Sequence, residues 1–257
     1  MMIPPQPPLP CRLLVDGPAS GFWQMAVDEA LLESAAEGQP TLRFYAWSEP
    51  TLSLGYFQRY EERLAHRASR PCPLVRRQTG GGAILHDQEL TYSLALPLAH
   101  PLAADAMRLY RAAHVALLDA LMSFGIEAEL RAGEGPTHAT SRGPDEPFLC
   151  FQRRSGGDVL LNGIKICGSA QRRRRGGLLQ HGSLLLSRSL AAPELPGIMQ
   201  LRGSCPSPEE IREPWAREMG FQLGLLLAKT PLSGQELDRV RTLAVEKYDS
   251  TAWNRRR

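Results

Sequence analysis

Alternation of apolar and polar residues is clearest from Glu89 to Leu98, where Leu90, Tyr92, Leu94 and Leu96 share one face of an extended chain. That period predicts a strand. Thr41–Trp47 alternates in the same way, and Thr51–Gln58 reads as a shorter strand broken at Gly55. Two stretches carry the helical period instead. Gln24–Glu37 places Met25, Leu31, Leu32 and Ala35 on one stripe and stops at Gly38 and Pro40. Asp28 and Glu29 fall mid-helix, where a solvated face is expected. Ala104–Phe124 is the longest predicted helix, with Tyr110, His114, Leu117 and Leu121 at helical spacing and Gly125 just past its end. His114 lies on that stripe and is expected to be a satisfied core or boundary residue.

Further along, Asp158–Leu161 and Ile164–Gln171 flank Asn162-Gly163, a strong hairpin signal. The basic turn RRRRGG then leads to a third strand, LLQHGSLLL, so an antiparallel meander is predicted. Between these blocks, Glu62–Ser69 reads as a short helix, Ile126–Leu130 as a short strand and Arg131–Pro147 as a long loop. Toward the C-terminus, Ser207-Pro208-Glu209-Glu210 and Ser233–Glu236 are capping-box patterns that open helices. Pro214 is expected to break or restart the first of these. Phe221–Ala228 reads as a strand after Gly220. Meander strands together with separate helices predict an α+β fold, with mixed or antiparallel sheets and flanking helices.

Two stretches carry candidate chemistry. The first is RRQTGGGAILH, Arg76 to His86, read as strand, tight glycine turn, strand. Gly80, Gly81 and Gly82 let another molecule approach the backbone amides closely. Arg76 and Arg77 before the turn and His86 after it make a cradle for a polar or anionic group. The second stretch is NGIKICGSAQRRRRGGLLQHG. Lys165 stands on the return strand of the hairpin, and Gly168, Ser169 and Ala170 follow it. Small residues in mid-strand leave room for a ligand. A lysine beside such a gap can hold an anion or a carbonyl oxygen, or stabilise a nearby thiolate. His181 and Gly182 lie on the next strand. His86 and His181 suit acid–base work or, equally, hydrogen bonding that shapes a turn. Arg172–Arg175 reads as a solvated turn or a contact for an acidic partner.

Composition narrows these readings. A length of 257 residues fits one large domain. The net charge of +3 sets up no field that demands nucleic acid or a membrane. Only Lys165, Lys229 and Lys247 are lysines among 30 basic residues, so a lysine within a motif stands out. Five cysteines (Cys11, Cys72, Cys150, Cys167 and Cys205) form no CxxC pair, which argues against a disulfide framework or a metal site and for a reducing, cytoplasmic setting. No signal peptide or membrane span is expected. MMIPPQPPLP suggests a disordered leader over residues 1–11.

Together, RRQTGGGAILHD, GDVLLNGIKICGSAQRR and LLQHGSLLL resemble the signature blocks of the lipoate/octanoate protein ligase and acyltransferase family, within the biotin/lipoate protein ligase superfamily. MAVDEALL, PTLRFYAWSEPTLSLGYFQ and EKYDSTAWN fit the same family in the same order, across residues 12 to 254. The resemblance implies a single class II biotin/lipoyl-ligase-like catalytic domain over that span. Only Asn254 and three arginines follow Trp253, so no accessory domain is expected. Cys150, just before the hairpin, falls where LipM-type octanoyltransferases place their nucleophile.

The resemblance thus implies a cysteine acyltransferase that needs no cofactor. The donor is octanoyl-acyl carrier protein, and the acceptor is a lysine of a lipoyl domain or of the glycine-cleavage H protein. Cys150 and Lys165 are the expected catalytic pair. The backbone of Gly168, Ser169 and Ala170 is expected to stabilise the oxyanion, with Gly80, Gly81 and Gly82 walling an acyl channel. By itself Cys150 also reads as a small buried hydrophobe between Phe148 and Phe151. Cys167 competes as nucleophile, because residues i and i+2 of a strand share a face and so set it beside Lys165. Two alternatives are an ATP- and magnesium-dependent lipoate-protein ligase and a non-catalytic binder of lipoyl domains.

Overall fold

The computed structural model describes residues 8–133 and 147–257. β1 (Leu9–Val15), α1 (Gly21–Ala36), β2 (Thr41–Tyr45) and β3 (Thr51–Leu54) open the chain. A 3-10 turn at Tyr60–Ala65 precedes β4 (Leu74–Arg76), β5 (Ile84–His86) and β6 (Glu89–Pro97). α2 (Pro101–Ala104), α3 (Ala106–Met122) and β7 (Glu129–Leu130) follow, and Cys150–Gln152 forms one 3-10 turn. The meander is β8 (Val159–Leu161), β9 (Ile164–Arg174) and β10 (Gly177–Leu185). α4 (Ile198–Arg202), α5 (Pro208–Leu223), β11 (Leu225–Lys229), α6 (Gly234–Leu243), a π-helical turn at Ala244–Tyr248 and α7 (Thr251–Asn254) complete it.

Eight strands form one mixed sheet in the order β11-β1-β2-β6-β10-β9-β8-β7. β1 runs parallel to β11 and β2, and the other neighbours are antiparallel. One face packs on α3 and α5. Leu42, Phe44, Leu90, Tyr92, Leu94 and Leu184 meet Leu117 and Met219 there, with Trp215 edge-on to Phe44 and Tyr92. The other face packs on α1, which α6 and the π-helical turn cover in turn. A second sheet, β4-β3-β5, carries a separate apolar cluster containing Leu52, Leu54, Ala83, Phe148, Leu149 and Phe151.

The α+β architecture, the meander and both capping boxes match the sequence reading. Asn162 and Gly163 take the left-handed φ values of 52° and 72° that the hairpin turn requires. Other elements depart from it. The glycine turn does not close a hairpin: β4 and β5 lie on opposite sides of β3, so the turn passes over the end of that strand. Leu9, Pro10 and Cys11 form the start of β1, paired with β11, rather than leader; residues 1–7 lie outside the described chain. Most of the loop expected over Arg131–Pro147 also lies outside it.

Pro214 sits inside an unbroken α5. Burial of Ile211, Trp215 and Met219 outweighs the one backbone hydrogen bond that proline removes. The helix ends at Gly224, in the left-handed region, and β11 therefore starts at Leu225 rather than Phe221.

The largest departure concerns α1. Asp28 and Glu29 are 1% and 2% exposed, not solvated. Ala26, Val27 and Ala30 fill the sides of the helix that Met25, Leu31 and Leu32 leave open, so it is apolar all round and enclosed on both faces. These two carboxylates are consequently neutralised inside. Asp28 accepts from Arg43 at 2.8 Å, Ser93 at 2.8 Å and Tyr45 at 3.1 Å. Glu29 accepts from Arg174 and Tyr248, both at 2.7 Å, and from Lys247.

Candidate active site

The site lies where the glycine turn, the Cys150 turn and β9 meet. The cysteine loop docks on the glycine turn by two backbone hydrogen bonds. The Cys150 amide donates to the Ala83 carbonyl at 2.7 Å, and the Ala83 amide donates to the Phe148 carbonyl at 3.1 Å. Gly81, at φ +93°, faces the half-buried thiol, and a Cβ there would stand 3.9 Å from Cys150 Sγ. Phe148 and Phe151 turn into the apolar cluster, leaving the thiol between that cluster and the turn.

Lys165 reaches this place because of a β-bulge. Leu160 pairs with Lys165, but Val159 pairs with Cys167, so β9 gains one residue there. The extra residue shifts the alternation. Ile166 and Cys167 both enter the core beneath α3, while Lys165 and Gly168 fall on the same side. The expectation that Cys167 shares a face with Lys165 is therefore overturned. Its thiol is fully buried 4.0 Å from His114 Nε2, and burial pushes its pKa far up.

Gly168 lets the lysine lie flat on the strand: a Cβ there would sit 2.7 Å from Lys165 Nζ. The ammonium pairs with Asp158 Oδ2 at 2.9 Å and stands 5.4 Å from the Phe151 ring centroid. Burial alone pulls its pKa down. The charges of Cys150 and Asp158 beside it outweigh that effect, and the pKa lies above the ordinary lysine value. Lys165 is thus a buried cation coupled to the Cys150 sulfur. Asp158 is itself held by the Tyr110 hydroxyl and the Ser155 amide, both at 2.7 Å.

Other residues singled out from the sequence take different places. Arg76 and Arg77 are fully buried and bind backbone carbonyls rather than an open pocket. Arg76 donates to Gly55, Gln58 and Asn254, and Arg77 to Ser53, Gly80 and Gly82. Arg77 thereby holds the glycine turn from behind, and Arg76 ties the residues before it to the C-terminal helix. His86 is likewise committed. It stacks on Trp47 at 3.9 Å and binds Ser53 Oγ and Glu89, and burial holds its pKa below the usual histidine value.

His181 bridges two elements, with Nε2 2.7 Å from Thr79 Oγ1 in the glycine turn and Nδ1 3.2 Å from Asp28 on α1. His114, as expected, is a satisfied core residue. Its ring binds the Gly157 carbonyl and Ser169 Oγ, and burial lowers its pKa to about 4.

Gly168, Ser169 and Ala170 pair in register with Ser183, Gly182 and His181 of β10. The Ser169 amide donates to the Tyr110 hydroxyl, and Gly182 leaves room for the Ser169 side chain. The backbone of Gly168–Ala170 is therefore engaged in structure rather than offered as an oxyanion site. The amides of Gly80, Gly81 and Gly82, by contrast, have no acceptor among the described residues. Among those residues there is also no cluster of side chains that could hold a metal ion, and no helix long and apolar enough to cross a membrane.

Residues 20–205 match the family model of the lipoyl protein ligase A/B catalytic domain. The chain belongs to that family. Octanoyltransferase LipM of Bacillus subtilis is 34% identical over 96% of this chain and 98% of its own length. Octanoyltransferase LipM of Bacillus anthracis is 34% identical over 93% and 95%. Among solved structures, a T. acidophilum protein described as a lipoate protein ligase, with lipoic acid bound, superposes with a TM-score of 0.76. It is 25% identical and covers 96% of this chain and 99% of that one. Lipoate-protein ligase A bound with ATP superposes at 0.73, with 25% identity over 96% and 98%.

Within this family fold, sequence reasoning missed Asp158, Asp28 and Thr79. The apolar character of α1 on every side signalled that Asp28 is buried. Nothing local signals that Asp158 pairs with Lys165 across the bulge.

Proposed function

We propose that this family member is an octanoyltransferase of protein lipoylation, working through a thioester on Cys150. The observation that carries this reading is the half-buried Cys150 thiol set between the buried Lys165 ammonium and Gly81 of the glycine turn, whose amides have no acceptor among the described residues. The relatives named octanoyltransferase support it over most of both chains.

In the first step the Cys150 thiolate attacks the thioester carbonyl of octanoyl-acyl carrier protein. The carbon–sulfur bond to the carrier breaks, and the carrier's thiol leaves after taking a proton. Lys165 stabilises the attacking sulfur by charge. The amides of Gly80, Gly81 and Gly82, rather than those of Gly168–Ala170, receive the oxyanion. One such donor contributes about 3 kcal/mol in the transition state. In the second step a neutral lysine amine of a lipoyl domain or of the glycine-cleavage H protein attacks the thioester. The amide bond forms, the carbon–sulfur bond to Cys150 breaks, and the proton that the amine gives up goes to the departing Cys150 sulfur. Asp158 holds Lys165 in place through both steps. The octanoyl tail packs beside Ala83, Phe148 and Phe151, where each buried methylene contributes about 0.8 kcal/mol.

Neither step consumes ATP or a metal ion. Incubation with octanoyl-carrier protein, followed by intact-mass measurement, tests the scheme. One octanoyl adduct is expected, lost in Cys150→Ser and retained in Cys167→Ser. The reverse pattern would move the nucleophile to Cys167. ATP–pyrophosphate exchange with lipoate or octanoate, together with no transfer from the carrier, would favour the ligase reading that the ATP-bound structural relative keeps in view.

A further inference from the structure

A basic and aromatic cluster adjoins the glycine turn. The Arg172 guanidinium lies 4.8 Å from the Tyr56 ring centroid, on the same face of β9 as Gly168 and Ala170. Arg256 covers the same ring at 4.3 Å, and Arg257 covers Phe57 at 5.3 Å. The Tyr56 amide donates to the Thr79 carbonyl at 2.8 Å, and Phe57 packs over Gly80. The cluster is therefore continuous with the turn that faces Cys150.

Among the described residues, no carboxylate neutralises its positive charge. Arg172, Arg256 and Arg257 form no ion pair among the described residues. Burial raises the Tyr56 phenol, but its hydrogen bond from Arg256 and the charges of Arg172 and Arg257 outweigh this and leave its pKa below the usual tyrosine value. Among the described residues, two buried donors also lack acceptors, Arg172 Nε and Gln78 Nε2. Gln78 is only 5% exposed and precedes Thr79 directly. Its carbonyl oxygen accepts from Arg174 at 3.4 Å, which fixes the orientation of the amide and leaves the NH2 end unsatisfied. Arg172 and Arg174 share one face of β9, so both orphan donors belong to the same neighbourhood.

Donors left without acceptors beside unpaired guanidinium groups call for a multivalent anion. A phosphate ester offers several charged oxygens and matches the arginine fork. Arg76 and Arg77, the other arginines of the turn, are already committed to carbonyls. We propose that Arg172, Arg256 and Gln78 bind the phosphate ester on the flexible arm of the acyl-thioester donor, holding the arm while its thioester reaches Cys150. This rests on the octanoyltransferase reading and identifies how that site would recognise its donor.

The test measures acylation of Cys150 from octanoyl-pantetheine, octanoyl-phosphopantetheine and octanoyl-carrier protein. Arg172→Ala and Arg256→Ala should each raise KM about tenfold for the two phosphate-bearing donors, with kcat nearly unchanged. KM for octanoyl-pantetheine, which lacks the phosphate, should move less than about twofold, and Arg172→Lys should recover part of the loss. Equal losses on all three donors, or none on the phosphorylated ones, would overturn the proposal. So would a loss seen only with the carrier protein, which would assign the arginines to its acidic surface, or the loss of an ATP-dependent activation of octanoate, which would assign them to a nucleotide. If wild-type Cys150 takes octanoyl from none of the donors, the transferase reading itself falls and the proposal with it. Acylation of wild type and variants alike from every donor removes only the arginine site.

Discussion

Lys165 is the side chain on which the proposed chemistry turns. It is a buried cation with one carboxylate partner, Asp158, and it feels the sulfurs of Cys150 and, more weakly, Cys167. Replacing it with alanine removes the charge that faces the thiol. Acylation of Cys150 by octanoyl-carrier protein should then run about tenfold slower. An unchanged rate would remove Lys165 from the first step. Asp158→Asn keeps the shape of the side chain but takes away the counterion, and it should lower acyl transfer without unfolding the chain, as checked by rate and thermal midpoint together.

At the scale of elements, the site depends on backbone devices rather than on rigid strands alone. The bulge in β9 and the left-handed Gly81 are the two that matter most. Gly168→Ala would drive a Cβ into the Lys165 side chain and push the ammonium away from Asp158. Transfer should fall about 100-fold while stability drops by about 1–3 kcal/mol, the usual cost of overpacking. Gly81→Ala would force a Cβ into a left-handed conformation and toward Arg77, costing about 1–2 kcal/mol. Urea midpoints measured beside turnover separate the two effects. A Gly168→Ala protein with full activity would show that Lys165 need not lie on the strand.

Across the whole molecule, a buried polar network runs through the apolar layer between α1 and the sheet. Arg43 holds Asp28 and Asp16, and Asp28 in turn reaches His181 and so the glycine turn. Asp28→Ala would leave Arg43 with less compensation inside the fold and should cost about 3–5 kcal/mol in urea unfolding.

Acid should weaken the fold through the buried histidines. The His114 ring, lowered by burial from 6.5 to about 4, stays neutral in the folded protein over a range where the unfolded chain protonates it. Its contribution is complete above about pH 6.5 and falls as pH drops toward 4, by about 3 kcal/mol in all. His86, also lowered, acts in the same direction. Unfolding midpoints that stay flat from pH 7.5 to 4.5 would contradict this account.

Local chemistry determined much of this protein before any folding was considered. Alternation fixed β2 and β6, Asn162-Gly163 fixed the hairpin, and Ser207 and Ser233 fixed where two helices begin, because each signal acts within a few residues. The blocks around Gly80–Gly82, Lys165 and His181 were enough to place the chain in its family. Tertiary structure alone decided which of those residues face one another. One extra residue in β9 turned Cys167 into the core and left Lys165 beside Cys150, a shift of phase that periodicity in a single strand does not reveal. Enclosure of α1 on both faces turned Asp28 and Glu29 inward, and the carbonyls behind the glycine turn claimed Arg76 and Arg77. The glycine turn looked like an anion cradle because of those two arginines. In the fold, Gly81 faces Cys150, and the cations beside the turn, without an ion pair among the described residues, come from β9 and the residues after α7, distant in sequence and adjacent only once the chain has closed.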